Sequence, residues 1–143
     1  NVKLAKEIDA DGVHLGQDDL DIKAAREYLG ADKIIGVSAH NVKEALEAEN
    51  GGADYLGSGA AFVTSTKTDA GAIDHKVLSD VAHSVKIPVV AIGGINKDNI
   101  SQLEGLGLDG VAVVSAIFAA DDISSAVIDL KAKAEKAAES SSK

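Results

Sequence analysis

Five short apolar runs rich in Val and Ile recur along the chain, near residues 12–15, 34–37, 54–57, 88–92 and 110–114. Each is followed by a stretch of helical periodicity. Val42, Ala45, Leu46 and Glu49 fall at helical spacing, as do Val77, Leu78, Val81 and Val85, and Ile100, Leu103 and Leu106. The last such stretch places Ile123, Ala126, Val127, Leu130 and Ala134 on one stripe. Short apolar runs between period-3.6 faces read as buried strands alternating with amphipathic helices. Strand, helix, strand in regular alternation implies parallel pairing through right-handed crossovers. The expected class is therefore α/β, with about five β/α units.

The number of units limits the architecture. A closed eight-stranded barrel needs at least about 200 residues, and this chain has 143. Two arrangements survive: an open doubly wound sheet, or a (β/α)₈ barrel lacking its first three units. The rhythm alone does not choose. A hydrophobic content of 45% suffices for a core, but aromatic residues are only 3%, so Val, Ile, Leu and Ala must fill it. Small branched side chains suit buried parallel strands. The chain has no Cys, which excludes disulfides and thiolate metal sites. A net charge of −9 without any basic block argues against nucleic acid and anionic membranes as partners. No apolar run has membrane-span length and no signal peptide opens the chain, which points to a cytoplasmic protein. The chain begins at Asn1 and contains no Met, so a fragment or processed chain is expected. Residues 1–130 read as one domain, and 131–143, rich in Ala, Lys, Glu and Ser, as a helical end fraying into a polar tail.

Local signals mark the helix ends. Asp19 or Asp21 can cap the helix after the first strand, Asn41 the next, and Asn96 or Asp98 the one containing Ile100. Gly51, Gly52 and Gly107 read as helix stops.

Several strand ends carry candidate chemistry. In V-V-A-I-G-G-I-N, residues 89–96, Gly93 and Gly94 let backbone amides approach a ligand closely. In V-A-V-V-S-A-I-F, residues 111–118, Ser115 ends another strand. Loops after the last two strands of a (β/α)₈ barrel commonly bind phosphate, so the pair favours phosphate over a mere tight turn. The stretch G-A-A-F-V-T-S-T-K-T-D-A, residues 59–70, offers Thr64, Ser65, Thr66 and Lys67 as donors for an anion, although by itself it reads as a solvated loop. In G-V-H-L-G-Q-D-D, residues 12–19, carboxylates at a strand end suit Mg²⁺ or a helix cap equally. I-I-G-V-S-A-H, residues 34–40, places Ser38 at a further strand end, where a helix-start role is the commoner one. His14 lies within a strand and reads as a core or supporting group rather than a base. His40 begins a helix, and His75 and His83 share one near solvent. No pair has zinc spacing.

Taken in order, D-G-V-H-L-G-Q-D-D, G-V-S-A-H, G-A-D-Y-L-G-S-G, T-S-T-K, A-I-G-G-I and V-A-V-V-S-A-I resemble the thiamine-phosphate synthase family, up to about Leu130. The resemblance implies a (β/α)₈ barrel that joins hydroxymethylpyrimidine diphosphate to thiazole phosphate, with Mg²⁺, through a pyrimidine carbocation. It implies that Asp19 is a Mg²⁺ ligand and that Ser38 and Lys67 contact the pyrimidine diphosphate. Thr64, Ser65 and Thr66 resemble the stretch that contacts the thiazole phosphate, and Gly94, Val114 and Ser115 its backbone cradle.

The departures from the family pattern are also specific. Its first three strands, with a Gln–Arg–Lys cluster, an Asn and a second Mg²⁺ carboxylate, have no counterpart here. Ala60 and Val63 stand where Pro is common. The chain alone is therefore expected to be inactive, and its cut barrel edges to favour self-association. Two other readings stay open. One is a thiazole tautomerase-like protein that keeps the phosphate cradle; the T-S-T-K loop and G-Q-D-D favour the synthase over it. The other is a non-catalytic phosphate-binding fragment of the barrel.

Overall fold

The computed structural model describes residues 1–63 and 73–139. Among the described residues five strands form one sheet: β1 (Gly12–Leu15), β2 (Ile34–Ala39), β3 (Tyr55–Gly59), β4 (Val89–Ile92) and β5 (Gly110–Ala112). Their spatial order is β1-β2-β3-β4-β5 and every neighbouring pair is parallel. A doubly wound sheet reverses its strand order part-way. This one does not, so it is a wall of a (β/α)₈ barrel, incomplete at five strands.

The helices are α1 (Val2–Glu7), α2 (Ile22–Leu29), α3 (Val42–Gly51), α4 (His75–Ser84), α5 (Ser115–Phe118) and α6 (Ile123–Glu139). Asp21, not Asp19, caps α2, accepting from the amides of Lys23 at 3.0 Å and Ala24 at 3.2 Å. Asn41 caps α3 by accepting from Glu44 N at 3.0 Å, while the Glu44 carboxylate accepts from His40 N at 2.8 Å. This reciprocal pair satisfies amides that the helix itself cannot. Gly52, at φ 94°, takes the left-handed position that closes α3.

Two elements differ from the sequence pattern. The segment after β4 forms only a 3₁₀ turn, Ile100–Leu103. Neither Asn96 nor Asp98 caps it: Asn99 stands at its start without a side-chain cap bond, and Gly105 and Gly107 follow at φ 76° and 82°. Two left-handed glycines so close together cannot continue a helix. The second difference lies in α6, which runs on through Lys131 to Glu139 and buries only part of the expected stripe. Leu130 and Ala137 of α6 are buried, while Ile123 and Val127 of the expected stripe are exposed. Lys136 also reaches Glu104 at 3.2 Å, and Lys133 donates to Lys97 O at 3.1 Å.

The core lies between the sheet and its helices. Leu15, Ile35, Leu56, Val89 and Ala91 point from the strands into it, against Leu78 and Val81 of α4 and Ile100 and Leu103 of the 3₁₀ turn. The start of the sheet uses one device twice. Asp54, just before β3, accepts from Ile35 N at 2.7 Å, and Asp109, just before β5, accepts from Val89 N at 2.8 Å. Each carboxylate caps an amide of the preceding strand. Arg26 secures the first of these by donating to Asp54 at 2.6 Å and to Gly52 O at 2.7 Å. Side chains that alternate with the core residues along β1, β2 and β3 face the inside of the barrel wall: His14, Gly36, Ser38, Tyr55 and Gly57.

Candidate active site at the strand ends

Parallel order brings all five strand C-termini to one rim, where the motif residues gather. Asp19 follows β1, Ser38 is the last residue but one of β2, Gly93 and Gly94 follow β4, and Val114 and Ser115 follow β5. Thr64, Ser65, Thr66 and Lys67 lie outside the described residues. The residues just before them are described: Ala61 N donates to Ile92 O at 2.9 Å and Phe62 N to Gly93 O at 3.1 Å. His75 contacts Ala61 O at 3.2 Å and meets the Phe62 ring edge-on, with centroids 5.0 Å apart. The histidine at the start of α4 is therefore half-buried and serves the loop stem.

Gly93 and Gly94 have a structural task whatever they bind. Their φ values are 101° and 64°. A Cβ on Gly93 would lie 2.8 Å from Ala60 Cα, and one on Gly94 would lie 2.8 Å from Phe62 O. Only glycine allows the β4 turn and the β3 loop stem to approach this closely. Asn99 secures the turn, donating from Nδ2 to Gly94 O at 2.9 Å and accepting from Asn96 N at 2.8 Å. At the next rim position Val114 and Ser115 are exposed, and Ser115 opens α5. The first amides of a helix have no acceptor within it. Between this region and α6 lies a cleft of about 570 Å³, lined by Asn96, Lys97, Ser115 and Ser125 among others.

The β1–β2 half of the rim is more ordered than the residue pattern suggests. Gly16 N donates to Asp19 Oδ2 at 2.7 Å, which turns the chain and holds the carboxylate at the rim. Gln17 Nε2 donates to Ser38 O at 2.6 Å. His14 lies between two hydroxyls, with Nε2 3.0 Å from Ser38 Oγ and Nδ1 3.0 Å from Tyr55 Oη. Burial keeps the His14 pKa below its ordinary value against the opposing charge of Asp19, so the ring favours its neutral form. Tyr55 and the contact role of His14 are not evident from motif spacing. The signal for them is register: His14 pairs with Gly36 and Gly36 with Tyr55, so one row reads ring, glycine, ring.

A family model described as thiamine monophosphate synthase matches residues 1–117. The chain belongs to the thiamine monophosphate synthase family. It is 54% identical over 122 residues to the thiamine-phosphate synthase of Clostridium acetobutylicum, covering 85% of this chain and 58% of that protein. It is 50% identical over 130 residues to that of Clostridium beijerinckii, covering 91% and 62%. Among solved structures, thiamine phosphate pyrophosphorylase from Pyrococcus furiosus matches at 47% identity with a TM-score of 0.84, covering 96% of this chain and 65% of that one. The chain thus spans about three fifths of the length of the curated relatives it matches.

For this family member the donor set can be tested against Mg²⁺. Among the described residues no cluster of three or more His, Cys, Asp or Glu side chains could hold a metal. Asp19 has one oxygen engaged by Gly16 and is exposed. One accessible carboxylate suits Mg²⁺, which keeps several waters and is often held jointly with substrate phosphates. Among the described residues no helix is long and apolar enough to cross a membrane.

Proposed function

We propose that this chain supplies the C-terminal part of a thiamine-phosphate synthase, a cytoplasmic transferase that joins hydroxymethylpyrimidine diphosphate to thiazole phosphate. One observation carries the reading: the motif residues Asp19, Ser38, Gly94, Val114 and Ser115 stand at one rim, at the C-terminal ends of β1, β2, β4 and β5 of one parallel sheet. In the reaction the thiazole nitrogen forms a bond to the pyrimidine methylene carbon, and the bond from that carbon to diphosphate breaks. The protein holds the two substrates together and stabilises the charge on the departing diphosphate.

The roles follow the rim. Gly94, Val114 and Ser115 cradle the thiazole phosphate with backbone amides and a hydroxyl, and Thr64, Ser65 and Thr66 add donors. Ser38 and Lys67 hold the pyrimidine diphosphate, Lys67 as a point cation. Asp19 would hold Mg²⁺, which when bound neutralises diphosphate charge. The remaining strands of a closed barrel complete the diphosphate side.

The test uses the 143-residue chain and a second polypeptide carrying the three N-terminal β/α units of a Clostridium relative. The chain alone is expected to bind inorganic phosphate weakly and to release no diphosphate from the two substrates. Mixed or fused with the N-terminal units, it is expected to form thiamine phosphate. Coupling by the purified chain alone overturns this division of labour, and a fused protein that folds but does not couple overturns the assignment.

A further inference from the structure

The His14, Tyr55 and Ser38 contacts form a single chain across three strands, from Tyr55 Oη through both imidazole nitrogens to Ser38 Oγ, each step 3.0 Å. We infer that Tyr55 and His14 are positioning residues that together turn the Ser38 hydroxyl into an outward-facing hydrogen-bond donor. The inference deepens the proposed function and rests on its reading of Ser38 as a diphosphate contact.

A neutral imidazole has one N–H and one bare nitrogen, so it can accept from only one of the two hydroxyls and must donate to the other. A phenol, with a pKa of about 10, is a far stronger acid than an aliphatic hydroxyl and so the better donor. Tyr55 therefore donates to Nδ1, and the proton resides on Nε2. His14 then donates to Ser38 Oγ and occupies one of its lone pairs. The Ser38 proton is left free to point to the rim, where an anion needs a donor. The opposite tautomer would draw that proton inward and present lone pairs to the anion.

The surroundings keep this arrangement in place. The rings of His14 and Tyr55 lie 5.5 Å apart, across Gly36, where a Cβ would collide with both. A Cβ on Gly57 would lie 3.1 Å from His14 Cε1. Gln17 fixes the Ser38 backbone through its carbonyl. Both glycines thus leave the space that the two rings occupy.

Long-range ¹⁵N–¹H correlation spectra of the ¹⁵N-histidine-labelled chain test the inference, with His14→Gln identifying the His14 signals. The Nε2–H tautomer is expected, and Tyr55→Phe, which keeps the ring but not the hydroxyl, is expected to shift His14 towards the Nδ1–H form. An Nδ1–H tautomer in the unmodified chain, or no change in Tyr55→Phe, overturns the inference without any ligand present. A titration with inorganic diphosphate separates this result from the underlying reading. Ser38→Ala and Tyr55→Phe are each expected to weaken binding about three- to tenfold, the range for loss of one hydrogen bond, and the double variant no more than Ser38→Ala alone. Additive losses overturn the inference, because Tyr55 would then act independently of Ser38. The expected tautomers combined with unchanged diphosphate binding in Ser38→Ala support the positioning pair and overturn only the reading of Ser38 as an anion contact.

Discussion

At the scale of single residues, carboxylates of similar sequence setting do different work. Asp21 caps a helix, Asp19 holds a turn at the rim, and Asp54 ties β3 to β2 through Ile35 N and Arg26. Partial burial acts to raise the Asp54 pKa, but the Ile35 amide and the Arg26 guanidinium outweigh it and hold the carboxyl below its ordinary value of 3.8. A carboxyl with a lowered folded pKa contributes stability above its unfolded value and loses it as pH falls through the folded one. Asp54→Asn is therefore expected to lower the urea midpoint at neutral pH. The gap to the unmodified chain should narrow as pH falls below 3.8. Urea titrations of both proteins at several pH values check this, and a gap that is constant with pH would show that the Asp54 charge contributes nothing.

At the scale of elements, the inner face of β1–β3 depends on small residues beside large ones. Gly36 separates His14 from Tyr55 in the strand register. A methyl group there would collide with the far end of the Tyr55 ring and with His14 Nδ1, so at least one of the two side chains must shift. Gly36→Ala is expected to cost about 1–3 kcal/mol of stability, the range for overpacking a filled site. It should also abolish the Tyr55–His14 contact, read as altered Tyr55 ring shifts in NMR spectra. Unchanged stability and unchanged ring shifts would mean that the inner face has slack. The same logic explains Gly93 and Gly94: as a sequence signal they suggest a ligand, yet their neighbours Ala60 and Phe62 already require glycine. A phosphate role is additional to that packing and is tested by binding.

At the scale of the whole molecule, a five-stranded parallel wall ends in β1 on one side and β5 on the other. End strands of an open sheet present backbone groups that pair readily with other chains. Near these ends Ile34, Ile92, Val114 and Phe118 are exposed, with Phe118 at 74%. Self-association is the expected outcome, as a dimer or as poor solubility. Sedimentation velocity across a concentration series checks it, and a monomer that persists at high concentration counts against it. Addition of the N-terminal units should reduce the association, since they occupy the same edges.

The periodic pattern of the sequence was enough to determine five strands, their parallel pairing and most helix positions, because apolar periods of 3.6 and short Val-rich runs reflect burial directly. It also located the rim residues, since strand ends carry Gly, Ser and Asp where regular pairing stops. Helix lengths were less legible. The 3₁₀ turn at Ile100–Leu103 is cut short by left-handed glycines, and α6, which lies against that turn with Leu130 and Ala137 buried, continues to Glu139. Local periodicity is the same in a sequential barrel wall and in a doubly wound sheet, so the motif resemblance carried the expectation of a barrel and the strand order β1-β2-β3-β4-β5 bears it out. Only register could bring His14, Tyr55 and Ser38 together from three strands, with Gly36 and Gly57 leaving space for the rings. Contacts between residues up to 41 positions apart leave no mark on local periodicity, so the sequence determined which residues reach the rim and the fold decided which of them touch.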